Sequence, residues 1–168
     1  EKDITRLQTI TDRFSKIGSE PVLEKRDIIE DTKNTVDYLQ TRVSQQVNFY
    51  FKAPQHPVFV EINPALHSWT IENLVKNAID AMKGRGSIAI VIEDDKKTTK
   101  IKISDSGKGI PKNQFNTIFE PGFTTKKRGW GLGLSLTKRI VEEYHSGKIK
   151  VLHSEMNKGT TFEISFKR

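Results

Sequence analysis

The length, composition and charge of the chain exclude several classes of protein. With 168 residues, 35% of them hydrophobic, the chain suits one globular domain with a real core. It has no cysteine, which excludes disulfides and thiolate metal sites, and its four histidines lack the i, i+4 spacing of a helical zinc site. No apolar run approaches the roughly eighteen residues of a membrane span. The net charge of +7 leaves a phosphate-rich ligand or a membrane surface as partners. Nucleic acid is disfavoured because the cations are scattered and aromatic residues are not interleaved with them.

The first 26 residues predict the end of a longer helix and a linker. Residues at alternating spacings of three and four, typical of coiled coils, are Ile4, Leu7, Thr11 and Phe14. Gly18 and Pro21 should stop this helix. The chain begins with Glu rather than Met, so we expect a piece of a longer protein. The predicted division is a helical stub over 1–18, a linker over 19–26 and a domain over 27–168.

The rest of the chain predicts helices mixed with strands. Helices are expected at 27–43, 64–83 and 132–144, and strands at 46–52, 58–62, 87–93, 98–104, 148–154 and 160–166. In the strand at 98–104 isoleucines alternate with lysines, which predicts a sheet with one buried and one wet face. Residues 111–131 are rich in Gly, Thr and Lys and too long for a simple connection, so they predict a lid or a binding loop.

The helix expected over 64–83 carries an apolar arc and, opposite to it, a polar stripe of Asn73, Asn77 and Asp80. An asparagine inside a helix costs a few tenths of a kcal/mol because its amide competes with the backbone. A solvated face is one reading of this stripe. A functional face is the other, and it is favoured because Leu66 and Trp69 fall on the same side and should be covered.

Three other stretches carry candidate chemistry. The sequence D-S-G-K-G-I at 105–110 follows a predicted strand. The carboxylate of Asp105 could accept a hydrogen bond from an exocyclic amine, and the two glycines would let the backbone approach a flat ring closely. The alternative is a plain turn that contains glycine. The sequence G-W-G-L-G-L at 129–134 opens a helix, and exposed amides there suit phosphates, although alone it is weak evidence. The sequence F-E-P-G-F-T-T-K at 119–126, with two further cations at 127 and 128, lies just before it.

Together with E-N-L-V-K-N-A-I-D-A-M at 72–82, these stretches resemble in order and spacing the ATP-binding catalytic domain of sensor histidine kinases. That superfamily includes gyrase B, Hsp90 and MutL, and the resemblance covers 46–168. It implies an α/β (α+β) fold of the Bergerat type, a two-layer sandwich of a mixed β-sheet backed by helices. It also implies ATP and Mg²⁺ as cofactors, Asn77 as metal ligand and Asp105 on the adenine amine.

The resemblance implies further roles for individual residues. Asn73 would assist near the phosphates, and Asn73, Asn77 and Lys126 would act in catalysis. The other implied nucleotide contacts are Asp105, Gly107, Gly109, Thr124, Thr125, Gly129, Gly131, Leu132, Gly133, and Thr160 or Thr161. The family often has a basic or polar residue where this chain has Asp80, so no phosphate contact is carried over to that position.

The function that the resemblance implies is transfer of the ATP γ-phosphoryl group to a histidine on a dimerisation helix. That helix is expected upstream of this chain, because the family's acceptor motif, a histidine followed by an acidic residue, does not occur here. Expected partners are a second copy, through that helix, and a response regulator receiver domain. The domain is expected in the cytoplasm, whether or not the parent protein is membrane-anchored.

Rival functions stay open. A superfamily ATPase would need a Glu where Asn73 stands, and Glu72 is rotated by about 100° around the helix. A degenerate nucleotide-binding module is disfavoured by the intact Asn77 and Asp105. A protein serine kinase of the superfamily is disfavoured by the helical stub and linker at 1–26.

Overall fold

The computed structural model describes residues 21–121 and 133–167. In chain order its elements are β1 (Glu24–Asp27), α1 (Ile28–Gln40), β2 (Val47–Lys52), β3 (Phe59–Ile62), α2 (Pro64–Ala81), β4 (Gly86–Asp94), β5 (Thr98–Asp105), α3 (Gly133–Arg139), β6 (Lys148–Glu155) and β7 (Gly159–Lys167). Two 3-10 turns, Lys112–Gln114 and Thr117–Phe119, precede α3, and a π-helical turn, Ile140–Tyr144, follows it.

The main sheet has five strands in the order β2-β4-β5-β7-β6. β2 runs parallel to β4, and the other neighbours are antiparallel. β1 and β3 form a separate antiparallel pair. The sheet is therefore mixed, which confirms the expected fold class.

The core lies between the main sheet and the helices. Alternate residues along β4 and β5 are buried, because successive side chains of a strand point to opposite faces. In β7, which lies between β5 and β6, residues 159–164 are all buried. The buried residues that pack against α2 and α1 in one cluster include Ile88, Ile90, Ile92, Ile101, Ile103, Phe162, Ile164 and Phe166. Burying each such side chain is worth roughly 1.5–3 kcal/mol. The predicted two-layer sandwich is thus confirmed, with the lysines of β5 on the other, open face.

Two local features differ from the expectation. The second half of the predicted linker forms β1, in which Glu24 pairs with Ile62 and Asp27 with Phe59. Its sequence E-K-R-D lacks the β-branched residues typical of strands, so only its pairing with β3 makes it one. The last helix changes to π-type at Ile140, where the N–H of His145 donates to the Ile140 carbonyl (2.9 Å). The helical stub predicted over 1–18 lies outside the described residues.

Candidate functional site

The long helix α2 presents the predicted asparagine stripe. Its start is fixed by Asn63, whose side chain accepts from the N–H of Leu66 (3.1 Å), with proline at the first helical position. Asn73 and Asn77 are half-buried, and Asp80 is exposed. The side-chain nitrogen of Asn77 is fully buried. Much of this side of α2 is therefore withdrawn from solvent.

The cover over this side comes from the last helical segment. Leu66 and Trp69 are 5% and 6% exposed and pack with the buried Ile140. Leu136 and Tyr144 pack against the same cluster. The expected cover is therefore present around Leu66 and Trp69, whereas Asp80 at the other end of the stripe is exposed.

Asn73 lies against the start of α3. Its Nδ2 donates to the hydroxyl of Thr137 (2.9 Å), and that hydroxyl donates to the carbonyl of Gly133 (2.7 Å). A Cβ added to Gly133 would come within 3.0 Å of the Asn73 Oδ1. Two of the four motifs are thus in direct contact.

The turn after β5 packs on the end of α2. The N–H of Lys108 donates to the Ala81 carbonyl (3.0 Å), and a Cβ on Gly107 would come within 2.7 Å of the same backbone. Gly109 has a φ of +82°, and a Cβ there would overlap the Glu155 carbonyl. Both glycines are therefore required by the packing of the protein itself, whatever ligand lies on their other side.

Asp105 is the carboxylate at the end of β5. Its Oδ1 accepts from the N–H of Gly107 (2.8 Å), and the N–H of Thr160 also donates to it. Burial raises the pKa of Asp105 above its ordinary value, and the two backbone hydrogen bonds oppose that rise. The carboxylate is half-buried, so it is held in place while part of it stays accessible.

The strand register separates the two candidate threonines. Thr160 stands directly opposite Asp105, and both belong to the helix-facing set of residues. Thr160 also shares a hydrogen bond with the hydroxyl of Ser154 (2.7 Å). Thr161 points to the open face, where its hydroxyl pairs with Ser104 (2.8 Å). Only Thr160 therefore lies on the side of Asp105.

The remaining predicted site residues cannot be placed. Those that lie outside the described residues are Thr124, Thr125, Lys126, Gly129, Gly131 and Leu132. Their nucleotide contacts stay predictions. The lid expected over 111–131 also stays a prediction, but its described part forms two 3-10 turns and buries Ile118 and Phe119 in the core.

One site residue was missed by the sequence reasoning, namely Thr137, which is fully buried. The signal was present, because Thr137 precedes Ile140 and Val141 by three and four residues and so shares their buried face. A hydroxyl on a buried face needs a hydrogen-bond partner.

The candidate metal ligands are side-chain amides rather than carboxylates. Within 21–121 and 133–167, no group of three or more His, Asp or Glu side chains could hold a metal ion. Amide oxygens are also suitable ligands of Mg²⁺. Asn77, one turn beyond Asn73 on α2, carries such an amide oxygen, and its assignment to Mg²⁺ stays a prediction.

Comparison with known proteins identifies the family. The profile described as histidine kinase-, DNA gyrase B- and HSP90-like ATPase matches residues 66–168, more than half of the chain. The chain therefore belongs to this ATPase family. Within it, the chain resembles sensor histidine kinases, as the four motifs implied.

Two relatives illustrate that likeness. Sporulation kinase A of Bacillus subtilis (strain 168) is 45% identical over 94 residues, which are 56% of this chain and 15% of that protein. Sensor histidine kinase ZraS of Escherichia coli (strain K12) is 37% identical over 121 residues, which are 72% of this chain and 26% of that protein. The chain thus corresponds to only a small part of these relatives.

Solved structures give the same picture. The catalytic domain of histidine kinase ThkA superposes with a TM-score of 0.77 and 29% identity, covering 86% of this chain and 95% of that one. The structure of histidine kinase ThkA in complex with response regulator protein TrrA superposes with a TM-score of 0.77 and 27% sequence identity. This match covers 99% of this chain and 48% of that one. In the described part of this chain, each helix is too short or too polar to cross a bilayer.

Proposed function

We propose that this domain binds ATP with Mg²⁺ and transfers the γ-phosphoryl group to a histidine on a dimerisation helix outside the chain. The observation that carries the proposal is the spacing of two contacts along α2. The turn after Asp105 packs on Ala81, and the start of α3 packs on Asn73. These contacts are about 12 Å apart at 1.5 Å per residue, a span that suits an extended nucleotide with its base near Ala81 and its phosphates near Asn73.

The base would be read by Asp105. A carboxylate accepts hydrogen bonds, so it pairs with the N6 amine of adenine and is mismatched to the O6 acceptor of guanine. The Gly107 and Thr160 N–H groups that donate to it hold it in position without using all of its lone pairs. The hydroxyl of Thr160, on the same side of the sheet, is a second candidate contact to the base.

Mg²⁺ would be bound by Asn77, between the two ends of the nucleotide. When bound, the ion neutralises phosphate charge and orients the γ-phosphoryl group. The chain supplies an amide oxygen from a helix fixed by core packing. Lys126, Thr124 and Thr125 would belong to a lid that closes over the phosphates.

The burial and ion pairing of Glu72 favour phosphoryl transfer to a side chain over hydrolysis of ATP. The position that holds a water-activating Glu in superfamily ATPases is Asn73 here. Glu72, one residue earlier, is 7% exposed and forms an ion pair with Lys76 (3.1 Å). A buried carboxylate paired with a cation is poorly placed to take a proton from water at the phosphate. A superfamily ATPase therefore remains the second candidate.

The acceptor would lie outside the chain because each of its own histidines is badly placed. His67 and His145 are buried in the core, and His153 is exposed on the open face of the sheet, away from Asp105. His56 is exposed but lies between two prolines in the connection before β3.

The proposed partners follow from the family. ThkA binds the response regulator TrrA, and we infer a receiver domain as the partner of this protein too. The parent protein would dimerise through the upstream helix and hold this domain in the cytoplasm.

A phosphoryl-transfer assay tests the function. Incubated with γ-labelled ATP, the chain should stay unlabelled and release little phosphate, whereas added dimerisation helix from the parent protein should gain acid-labile label. Stoichiometric label on the chain itself would contradict the proposed acceptor. Rapid phosphate release would favour the ATPase.

The metal assignment is tested separately by calorimetry. Asn77→Ala should abolish Mg²⁺-dependent binding of an ATP analogue while the fold survives. Asn34→Ala is the matched control, because Asn34 is an exposed asparagine inside α1. Equal affinities in the two variants would remove Asn77 from the site.

A further inference from the structure

The buried hydroxyl of Thr137 joins α2 to α3, and the proposed function leaves it without a role. Its residue is fully buried. It lies 2.9 Å from the Asn73 Nδ2 and 2.7 Å from the Gly133 carbonyl oxygen. These bonds connect a predicted phosphate-side residue to the first turn of α3.

Counting protons fixes the direction of both bonds. A hydroxyl has one proton, and that of Thr137 is committed to the Gly133 carbonyl, which can only accept. The hydroxyl can therefore only accept from Asn73, which must turn its NH₂ group toward α3. The Asn73 Oδ1 is then left to face other groups. The positions of the oxygen and the nitrogen in an asparagine amide are ordinarily ambiguous. Here the Thr137 hydroxyl, which can only accept, determines that the nitrogen faces α3.

We propose that Thr137 is a positioning residue for nucleotide binding, holding the Asn73 amide in one orientation and the first turn of α3 against α2. The proposal rests on the proposed function, since it takes Asn73 to lie beside the phosphates. Thr137 acts through Asn73 and touches no reacting atom. A β-branched threonine suits this task because its hydroxyl can bond the carbonyl four residues earlier with few rotamers available.

The affinity test compares three variants with the parent chain. Thr137→Val removes the hydroxyl and keeps the shape, and affinity for a non-hydrolysable ATP analogue with Mg²⁺ should fall about three- to tenfold, as expected for one lost hydrogen bond. Thr137→Ser keeps the hydroxyl and should restore most of the affinity. Thr70→Val is the matched control, because Thr70 is a buried threonine of α2 whose hydroxyl donates to the Leu66 carbonyl (2.9 Å).

A second readout needs no nucleotide. In NMR spectra of the free chain, the side-chain amide of Asn73 should shift and exchange faster with water in Thr137→Val, and stay unchanged in Thr70→Val. In an Asn73→Ala background, Thr137→Val should cause no further loss of nucleotide affinity, because the hydroxyl acts through the missing amide. Thr137→Ala replaces the valine variant in these comparisons if the latter does not fold.

The outcomes separate the two proposals. Parent-like affinity in Thr137→Val, equal losses in Thr137→Val and Thr70→Val, or no recovery with serine would each overturn the positioning role. An unchanged Asn73 amide signal would do the same. Failure of the parent chain to bind ATP would overturn the proposed function and the nucleotide half of this proposal, while the amide signals would still decide the orientation of Asn73.

Discussion

Two buried imidazoles should make this domain sensitive to mild acid. The His67 Nε2 shares a hydrogen bond with the hydroxyl of Thr32 (2.8 Å), and the His145 Nε2 accepts from the N–H of Asn63 (3.1 Å). Burial and the nearby His145 lower the pKa of His67 to about 3, and burial lowers the pKa of His145 to about 4. Both rings also pack on Phe166. The folded core therefore holds two neutral histidines.

The direction of the pH effect follows from proton binding. An unfolded histidine has a pKa near 6.5, so between that pH and the folded pKa the unfolded chain binds more protons than the folded one. The contribution of each imidazole is fully present above about pH 6.5 and is lost as the pH falls toward the folded pKa values of about 3 and 4. From pH 7 to pH 5 each histidine should cost about 2 kcal/mol of unfolding free energy.

Urea unfolding at pH 7, 6 and 5 measures this loss. His67→Gln should reduce the drop in unfolding free energy between pH 7 and pH 5 by about 2 kcal/mol, whatever its effect at pH 7. His153→Gln is the control, because His153 is exposed and its ring stays hydrated when the chain folds. Carboxylates that titrate near pH 5 affect all three proteins alike. If His67→Gln and the parent chain lose the same free energy, His67 is not held neutral by the fold.

Three further predictions concern the fold and the candidate site. Gly159→Ala should destabilise the fold by about 2–3 kcal/mol or more in urea unfolding, because its Cβ would overlap the Asp105 carbonyl at a φ of +133°. Gly84→Ala, at a φ of +80° with open space around it, should cost less, and equal costs would contradict the packing argument. ATP should bind at least tenfold more tightly than GTP in calorimetry, and equal affinities would show that Asp105 does not read the base. Hydrogen exchange over 111–131 should slow when an ATP analogue binds, and fast exchange at saturation would count against a lid.

The sequence predicted the core elements because each has one buried face. The isoleucines of β4 and β5 alternate with polar residues, and α2 repeats its apolar residues with helical spacing, so local periodicity carried that information. β1 was missed because its strand character comes from pairing with β3, more than thirty residues away. The π-helical turn was missed because the apolar pattern at 136–144 fits one continuous helix equally well.

The residues of the candidate site stand out in the sequence by their type, whereas their geometry does not. Asn73, Asn77 and Asp105 stand out because their chemistry is unusual for where they occur. The choice between Thr160 and Thr161 depends on which one pairs with Asp105, and a one-residue change of register would exchange their faces. Thr137 looked like an ordinary helical residue because its role depends on a partner 64 positions away.

The glycines of the two boxes have a second explanation besides ligand approach. Gly107 lets the turn after β5 contact the end of α2, and Gly133 lets α3 contact Asn73. At each glycine, the side where a Cβ would stand is therefore already occupied by another motif. A ligand could contact only the opposite side of the same backbone. Loss of nucleotide binding in a glycine variant would not by itself show contact with the nucleotide, because the same change moves Asn73 or the turn after β5. Such a variant becomes informative when its unfolding free energy is measured together with its affinity, since a loss of affinity at unchanged stability argues against disrupted packing as the cause.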